Sequence, residues 1–281
     1  MTKNKIAYLK NKALWVRQQT LKMACGAGEA HIASSFSCTE IMVCLYQGGV
    51  LNVDPKHPKW SERDRFILSK GQAALALYPI LADMGFFSVN KLCTFAKNGS
   101  ILGAHADDAV PGVDIHTGSL GHGLSMGCGL AFAARMDSKK YLTFVLLGDG
   151  ECQEGSIWES AMFAGHHKLN NLIAIVDHNR LSASDYLDKY LSLKPLNKKF
   201  GSFGWKAVQV DGHSIPQILN VFKGVHNRKA RKPLAIIANT VKGKGISIIE
   251  NRADWHYRVP VGKELESACK ELSLRLAFIN K

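Results

Sequence analysis

Three short apolar runs mark the second half of the chain: 141–148 (YLTFVLLG), 171–179 (NLIAIVDHN) and 233–241 (PLAIIANTV). Each is rich in β-branched or bulky residues and too short for a buried helix, so the pattern predicts strands covered on both faces. Between the first two lies IWESAMFAGHHKL, which has helical composition. Between the second and third come a long loop and a further strand candidate at 204–212 (GWKAVQVDG). These are followed by SIPQILNVFKGVH, a helix opened by Ser214 with Pro216 in its first turn. Strand–helix–strand alternation at this spacing predicts an α/β fold, a doubly wound, mostly parallel sheet with helices on both faces. Ligands of such sheets bind outside the carboxyl ends of the strands. Asp149 falls at one such end, and Asp177 and Asn179 fall at the next.

Two other stretches have a helical pattern. Near the N-terminus Leu9, Ala13, Val16 and Thr20 recur at helical spacing, which predicts a surface helix rather than a signal peptide. Residues 111–135 carry glycine at 118, 121, 123, 127 and 129. From about 121 this segment reads as a helix whose bare face, Gly121, Ser125 and Gly129, would let another helix come close. Glycine costs roughly 1 kcal/mol against alanine inside a helix, so tight packing or a ligand at the helix start must offset it. An amphipathic segment at 258–276 predicts a terminal helix, and the whole of 1–281 reads as one domain.

Composition narrows the function classes. Hydrophobic residues make up 46% of the chain, enough for a sizeable core, and no apolar run nears the ~20 residues of a membrane span. Seven cysteines, odd in number and without a C-x-x-C pair, fit reduced thiols in a cytoplasmic protein better than disulfides or zinc. The net charge is +13, with mild clusters at 194–199 and 228–232. No nucleic-acid motif or aromatic-interleaved basic stripe accompanies it, so a solvated basic surface is favoured first and a phosphorylated ligand second. Neither nucleic acid nor membrane is expected as a partner.

The chemistry concentrates where the first strand ends, in LLGDGECQEG. Asp149 and Asn179 offer two hard oxygens at neighbouring strand tips, which suits Mg²⁺ or Ca²⁺; magnesium takes six oxygens, usually completed by phosphate and water. Gly148 and Gly150 let the backbone approach a diphosphate, and Gly150 leads toward a helix whose N-terminus favours anions. Taken alone, G-D-G fits a plain turn after a strand equally well. GLSMG at 123–127 matches a hydrolase nucleophile elbow but follows a glycine-rich turn instead of a strand, and is rejected. VKGKG at 241–245 lacks the full phosphate-loop spacing and reads as a strand-to-loop turn.

GDGECQEGSIWESAMFAGHHKLNNLIAIVDHNRL resembles the thiamine diphosphate motif: G-D-G, a helix, a strand, then Asn thirty residues after the Asp. AHIASSFSCTEIMVCLY, RDRFILSKGQAALALYPIL, PGVDIHTGSLGHGLSMGCGLA and TVKGKGISIIENRADWHYRVP resemble further blocks of the transketolase N-terminal domain, in order and spacing, from about residue 8 to the end. The likeness is greatest to the N-terminal subunit of split transketolases. It implies the diphosphate-binding (PP) fold, thiamine diphosphate as cofactor, and Mg²⁺ (or Ca²⁺ or Mn²⁺ in its place) held by Asp149, Asn179 and the Leu181 carbonyl. It implies that Gly148 and Gly150 lie beside the diphosphate and that Gly118, Ser119 and Leu120 form the turn under the thiamine ring. His31, His105 and His256 match histidines that line the substrate channel, and Glu154 and Glu159 match carboxylates of a subunit-interface proton network. His116, His166, His167 and His178 are left to structure.

One position departs from the family pattern: Gln72 stands in SKGQ where the family has a histidine that reaches both diphosphate and donor. Glutamine can hydrogen-bond but carries no charge and shuttles no proton. The implied reaction is transfer of a two-carbon ketol unit from a ketose, a sugar or sugar phosphate, to an aldehyde. Gln72 leaves open a related thiamine enzyme that acts on a 2-oxo acid or makes an unusual or branched sugar. A non-catalytic scaffold subunit is the alternative of another class. The glutamate that activates the cofactor belongs in the family to a pyrimidine-binding domain, which this sequence does not match. The resemblance therefore implies a second subunit in an α₂β₂ assembly, and self-association through the thiamine-site interface.

Overall fold

A computed structural model describes residues 2–227 and 231–275. Its centre is a sheet of five strands: β1 (Arg65–Leu68), β2 (Thr143–Gly148), β3 (Leu172–His178), β4 (Lys206–Asp211) and β5 (Leu234–Asn239), in the spatial order β1-β2-β3-β5-β4. Every neighbouring pair is parallel. Four of the strands lie where the apolar runs predicted them. β1 was not foreseen, because its four residues, RFIL, are too few to display a period.

Alternation along the strands divides the interior into two cores. Phe144 and Leu146 of β2 face one, and Val145 and Leu147 face the other. The first is covered by α1 (Lys3–Ala27), α2 (Ile32–Ser37), α3 (Thr39–Leu45), α4 (Ala74–Met84), α8 (Ile215–Val221) and α9 (Lys263–Glu271). The second is covered by α5 (Gly123–Met136), α6 (Gly155–His166) and α7 (Leu196–Ser202). The crossovers β2→β3 and β3→β4 use α6 and α7 on one face, and β4 returns to β5 through α8 on the other, which is the doubly wound arrangement. Because all strands point the same way, their carboxyl ends gather on one edge.

Two expectations change in detail. Leu9, Ala13, Val16 and Thr20 of α1 do face inward, but the helix is a surface element only over its first half. From Val16 to Ala24 most of its residues are buried against α3 and α4, and Arg17 is drawn in by Glu40, its Nη2 donating to Oε2 at 2.8 Å. The glycine face of α5 is also not the one expected. Gly121 precedes the helix with φ +90°, and Gly129 has no neighbour within 4 Å of a notional Cβ. The close approaches are made by Gly123 to Ser69, where a Cβ would sit 2.2 Å from Oγ, and by Gly127 to Val145 of β2, at 2.5 Å. The bare positions thus seat α5 on the sheet, not on another helix.

Of the 258–276 segment only Lys263–Glu271 is helical, as α9, and residue 276 lies outside the described residues, as do positions 228–230 of the second basic cluster. The seven cysteines are free, and among the described residues no helix is long and apolar enough to cross a membrane.

Candidate functional site

The strand tips frame a cleft of about 390 Å³, within the range of small-ligand sites. Asp149, 3% exposed, caps β2. Its Oδ1 accepts from the Gly150 N–H at 2.9 Å, and its Oδ2 accepts from the Arg180 N–H. Arg180 reaches it because φ +69° turns the chain sharply after β3. Asn179 hangs from the same turn: its Oδ1 accepts from the Leu181 N–H at 3.1 Å and its Nδ2 donates to Asp177 at 3.3 Å. Asp149, Asn179 and Leu181, separate in sequence, all border the one cleft.

Neither Gly148 nor Gly150 is required by the packing of the chain itself. The nearest atoms to a notional Cβ are 3.8 Å and 3.5 Å away, and both residues border the cleft. The close approach lies next door, where a Cβ on Gly71 would be 2.8 Å from Thr117 Oγ1 and 3.0 Å from Gly118 N. The tip of β1 and the glycine-rich turn before α5 therefore meet backbone to backbone. Gly118 and Leu120 border the cleft with Gln72, whose amide has no hydrogen-bond partner among the described residues. Ser119, in contrast, is exposed and does not border it. Glu154 sits at the rim as the N-cap of α6. Glu159 lies one helical turn on, over a shallow apolar hollow beside Phe132 and Phe163.

His31, His105 and His256 converge in the same cleft. The His31 ring lies 5.1 Å from His256 and 6.0 Å from His105, and the Tyr257 ring packs on it at 4.5 Å. Burial lowers all three imidazoles. It brings His31 to about 4, helped by His105 and Lys242, and His256 to about 4, helped by the Lys242 and His31 charges. His105 is lowered by burial and then by His116. At neutral pH they are uncharged hydrogen-bonding groups. Of the four histidines left to structure, His116 pairs with Asp107, His178 meets Asn239 Oδ1 at 2.9 Å, and His166 and His167 pack together beside Phe163, and none of them borders the cleft.

Sequence reasoning missed the two cations. Lys70 follows β1 and Lys242 follows β5; each is 1% exposed and borders the cleft. Burial opposes the Lys70 ammonium, but Asp177 beside it holds its pKa above the ordinary value. Asp177 is held low in turn: burial would raise it, and Lys70, Ser37 and Thr240 outweigh that. Lys242 has no carboxylate in contact. Burial, then the Lys70 charge, lowers it to about 8. It donates to the Ser182 carbonyl at 2.6 Å and meets His256 Nδ1 at 3.0 Å. The available signal was a lysine directly after a buried strand, in RFILSK and IIANTVK.

The Lys242 contact fixes a tautomer. An ammonium donating to Nδ1 leaves the His256 proton on Nε2. The expected result for Lys242→Met is a His256 pKa that rises toward its ordinary value, because one of the causes depressing it is gone. An NMR titration of the imidazole measures this, and an unmoved curve would remove Lys242 from the account.

The family described as "Transketolase, thiamine diphosphate binding domain" matches residues 11–274. The chain is 40% identical over 265 residues to one of the subunits of the apulose-4-phosphate transketolase of Phocaeicola vulgatus, covering 94% of each chain. It is 39% identical over 249 residues to the 6-deoxy-6-sulfo-D-fructose transketolase subunit SqwG of a Clostridium species, covering 88% of this chain and 90% of that one. Among solved structures, transketolase from Campylobacter jejuni superposes with a TM-score of 0.90 at 27% identity, covering 98% of this chain and 43% of its own. The chain thus spans less than half the length of that solved transketolase.

Proposed function

Because the chain belongs to the family of transketolase thiamine diphosphate-binding domains, we propose that it is the cofactor-binding subunit of a two-chain transketolase. The reaction is transfer of a two-carbon ketol unit from a ketose donor to an aldehyde acceptor. The observation that carries this reading is the placement of Asp149 and Asn179 at adjoining strand tips, in one cleft with three uncharged imidazoles.

The residues fit thiamine diphosphate with Mg²⁺. A buried carboxylate, an amide oxygen and a backbone carbonyl are hard donors of the kind magnesium takes. Asp149 is pushed up to about 7 by burial and by the neighbouring Asp177 charge, so it lacks a counter-ion that a divalent cation would provide. Open space beside Gly148 and Gly150, with Lys70 and Lys242 nearby, suits a diphosphate. When bound, thiamine diphosphate supplies the carbon nucleophile that attacks a ketose carbonyl. Asp149, Asn179 and the Leu181 carbonyl would hold the metal, Gly150 and Lys242 would face the diphosphate, and Gly118 and Leu120 would lie under the thiamine. His31, His105 and His256 would hold donor hydroxyls and polarise the carbonyl oxygen, with general acid–base help of about 10²–10⁴-fold.

We assign residues 1–281 to one PP domain, with the pyrimidine-binding and C-terminal domains on a second chain. Coverage of nearly all of a relative named as a subunit, but of under half of the solved transketolase, supports this. The reading places the pair in an α₂β₂ assembly of the reducing cytoplasm. Exposed Met126, Met162 and Phe163 on α5 and α6 support self-association beside the thiamine site. Gln72 favours a second reading of the substrate, a modified sugar, and the two relatives above are named for different ketoses.

The test is a ketol-transfer assay on the purified chain, alone and mixed with the product of the neighbouring reading frame. Turnover is expected only from the mixture. Full turnover by the lone chain would refute the divided active site.

A further inference from the structure

Glu151 follows the G-D-G turn directly, is 2% exposed and belongs to no assigned role. Its Oε1 accepts from the Ser69 hydroxyl and from the Gly121 N–H at 3.0 Å, and its Oε2 accepts from the Gly148 N–H at 3.0 Å. Those three donors come from three different connections: the tip of β1, the glycine-rich turn before α5, and the end of β2. Each connection also supplies a wall of the cleft, through Gln72, through Gly118 and Leu120, and through Gly148, Asp149 and Gly150. The glycine chemistry around the carboxylate allows no slack. A Cβ on Gly123 would strike Ser69, and one on Gly121 would lie 2.7 Å from Glu154 Cβ.

We propose that Glu151 is a positioning residue for the cofactor: a single buried carboxylate that sets the spacing between the backbone cradling the diphosphate and the turn carrying the thiamine. This rests on the reading of the site given above. All the donors it gathers are neutral, so no cation neutralises it in contact, and burial raises its pKa despite them. A group whose only task was to cap the short turn at 151–153 would not need to reach Ser69 and Gly121. The carboxylate is also the only planar group of its size that accepts from both sides. Glutamine has the same shape but one acceptor oxygen, and its NH₂ must face either Gly148 N–H or the Ser69–Gly121 pair, donor against donor.

The experiment is calorimetric titration, with thiamine diphosphate at saturating Mg²⁺, of this chain assembled with the product of the neighbouring reading frame, together with the ligand-free melting temperature of this chain. For Glu151→Gln we expect cofactor affinity weaker by tenfold or more, the scale seen for groups that orient ligating residues. The melting temperature should stay within about 4 °C of the parent. For Ser69→Ala, which removes one of the three donors and only a hydroxyl from the packing, we expect roughly a threefold loss, because two donors remain. Parent-like affinity in both variants would overturn the proposal, as would a lowered melting temperature with unchanged affinity, since that marks a purely structural carboxylate. A parent assembly of both chains that fails to bind thiamine diphosphate would instead overturn the site reading, and this inference with it.

Discussion

Asp149→Asn should abolish the response to cofactor while leaving the ligand-free chain at least as stable as the parent above neutral pH. Asp149 is buried and accepts two backbone N–H groups, yet burial and Asp177 raise its pKa to about 7. A carboxyl whose folded pKa is raised contributes stability that is present below the unfolded value and lost as pH rises through the folded one. The ligand-free parent therefore carries an uncompensated charge at pH 8 that asparagine does not. Its amide keeps one acceptor for the Gly150 or Arg180 N–H but offers a metal no negative charge. With thiamine diphosphate and Mg²⁺ at about a hundred times their dissociation constant, the parent gains about 2.7 kcal/mol, or about 5–10 °C in melting temperature for a chain of this size. The variant should move by less than about 1 °C. At pH 8 its ligand-free melting point should equal or exceed the parent's, and at pH 5 that advantage should be gone. A parent-sized shift with cofactor in Asp149→Asn would sink the metal assignment.

A buried carboxylate with no cation in contact stands out in the sequence as it does in the structure. Asp149 and Asn179 break apolar runs at their ends, and although a G-D-G alone fits a plain turn, polar oxygens at two neighbouring strand tips marked them as candidates. The three inner strands β2, β3 and β5 were legible because burial on both faces imposes a composition, and β4, at the sheet edge, because its residues alternate between partly buried and exposed. The histidines were not. Nothing in the periodicity marks His31, His105 or His256, and only the resemblance of whole sequence blocks picked them out. Lys70 and Lys242 were missed because a lysine after a strand is ordinarily solvated, and only the approach of α2 and of the 181–183 turn shows that these two point inward. The misread glycine face of α5 has a similar origin. Helical spacing says which residues share a face, and the tertiary partner decides which of two bare faces is used.

The same buried edge makes the loss of Lys70 costly to the fold. Its Nζ donates to the Ser34 carbonyl at 3.0 Å and to the Asp177 carboxylate, and both partners of the pair are essentially sealed from solvent. Replacing a buried pair by matched apolar groups is often neutral, but removing one partner strands the other charge and costs about 3–5 kcal/mol. Lys70→Met does the latter. Asp177 would retain Ser37, Thr240 and Asn179 as donors but no cation in contact. In the parent its pKa lies below the ordinary value, so it contributes stability above the unfolded pKa, lost only as pH falls through the folded one. In the variant the balance reverses and burial pushes the carboxyl up. The deficit should therefore be largest near pH 8 and shrink on acidification, as protonation removes the stranded charge. Urea unfolding at pH 8 and pH 5 measures this. Lys70→Met combined with Asp177→Asn should recover a good part of the loss, because two neutral groups leave nothing uncompensated. A single-variant deficit that does not change with pH, or a double variant as weak as the single, would mean that the pair is incidental to the edge on which the site is built.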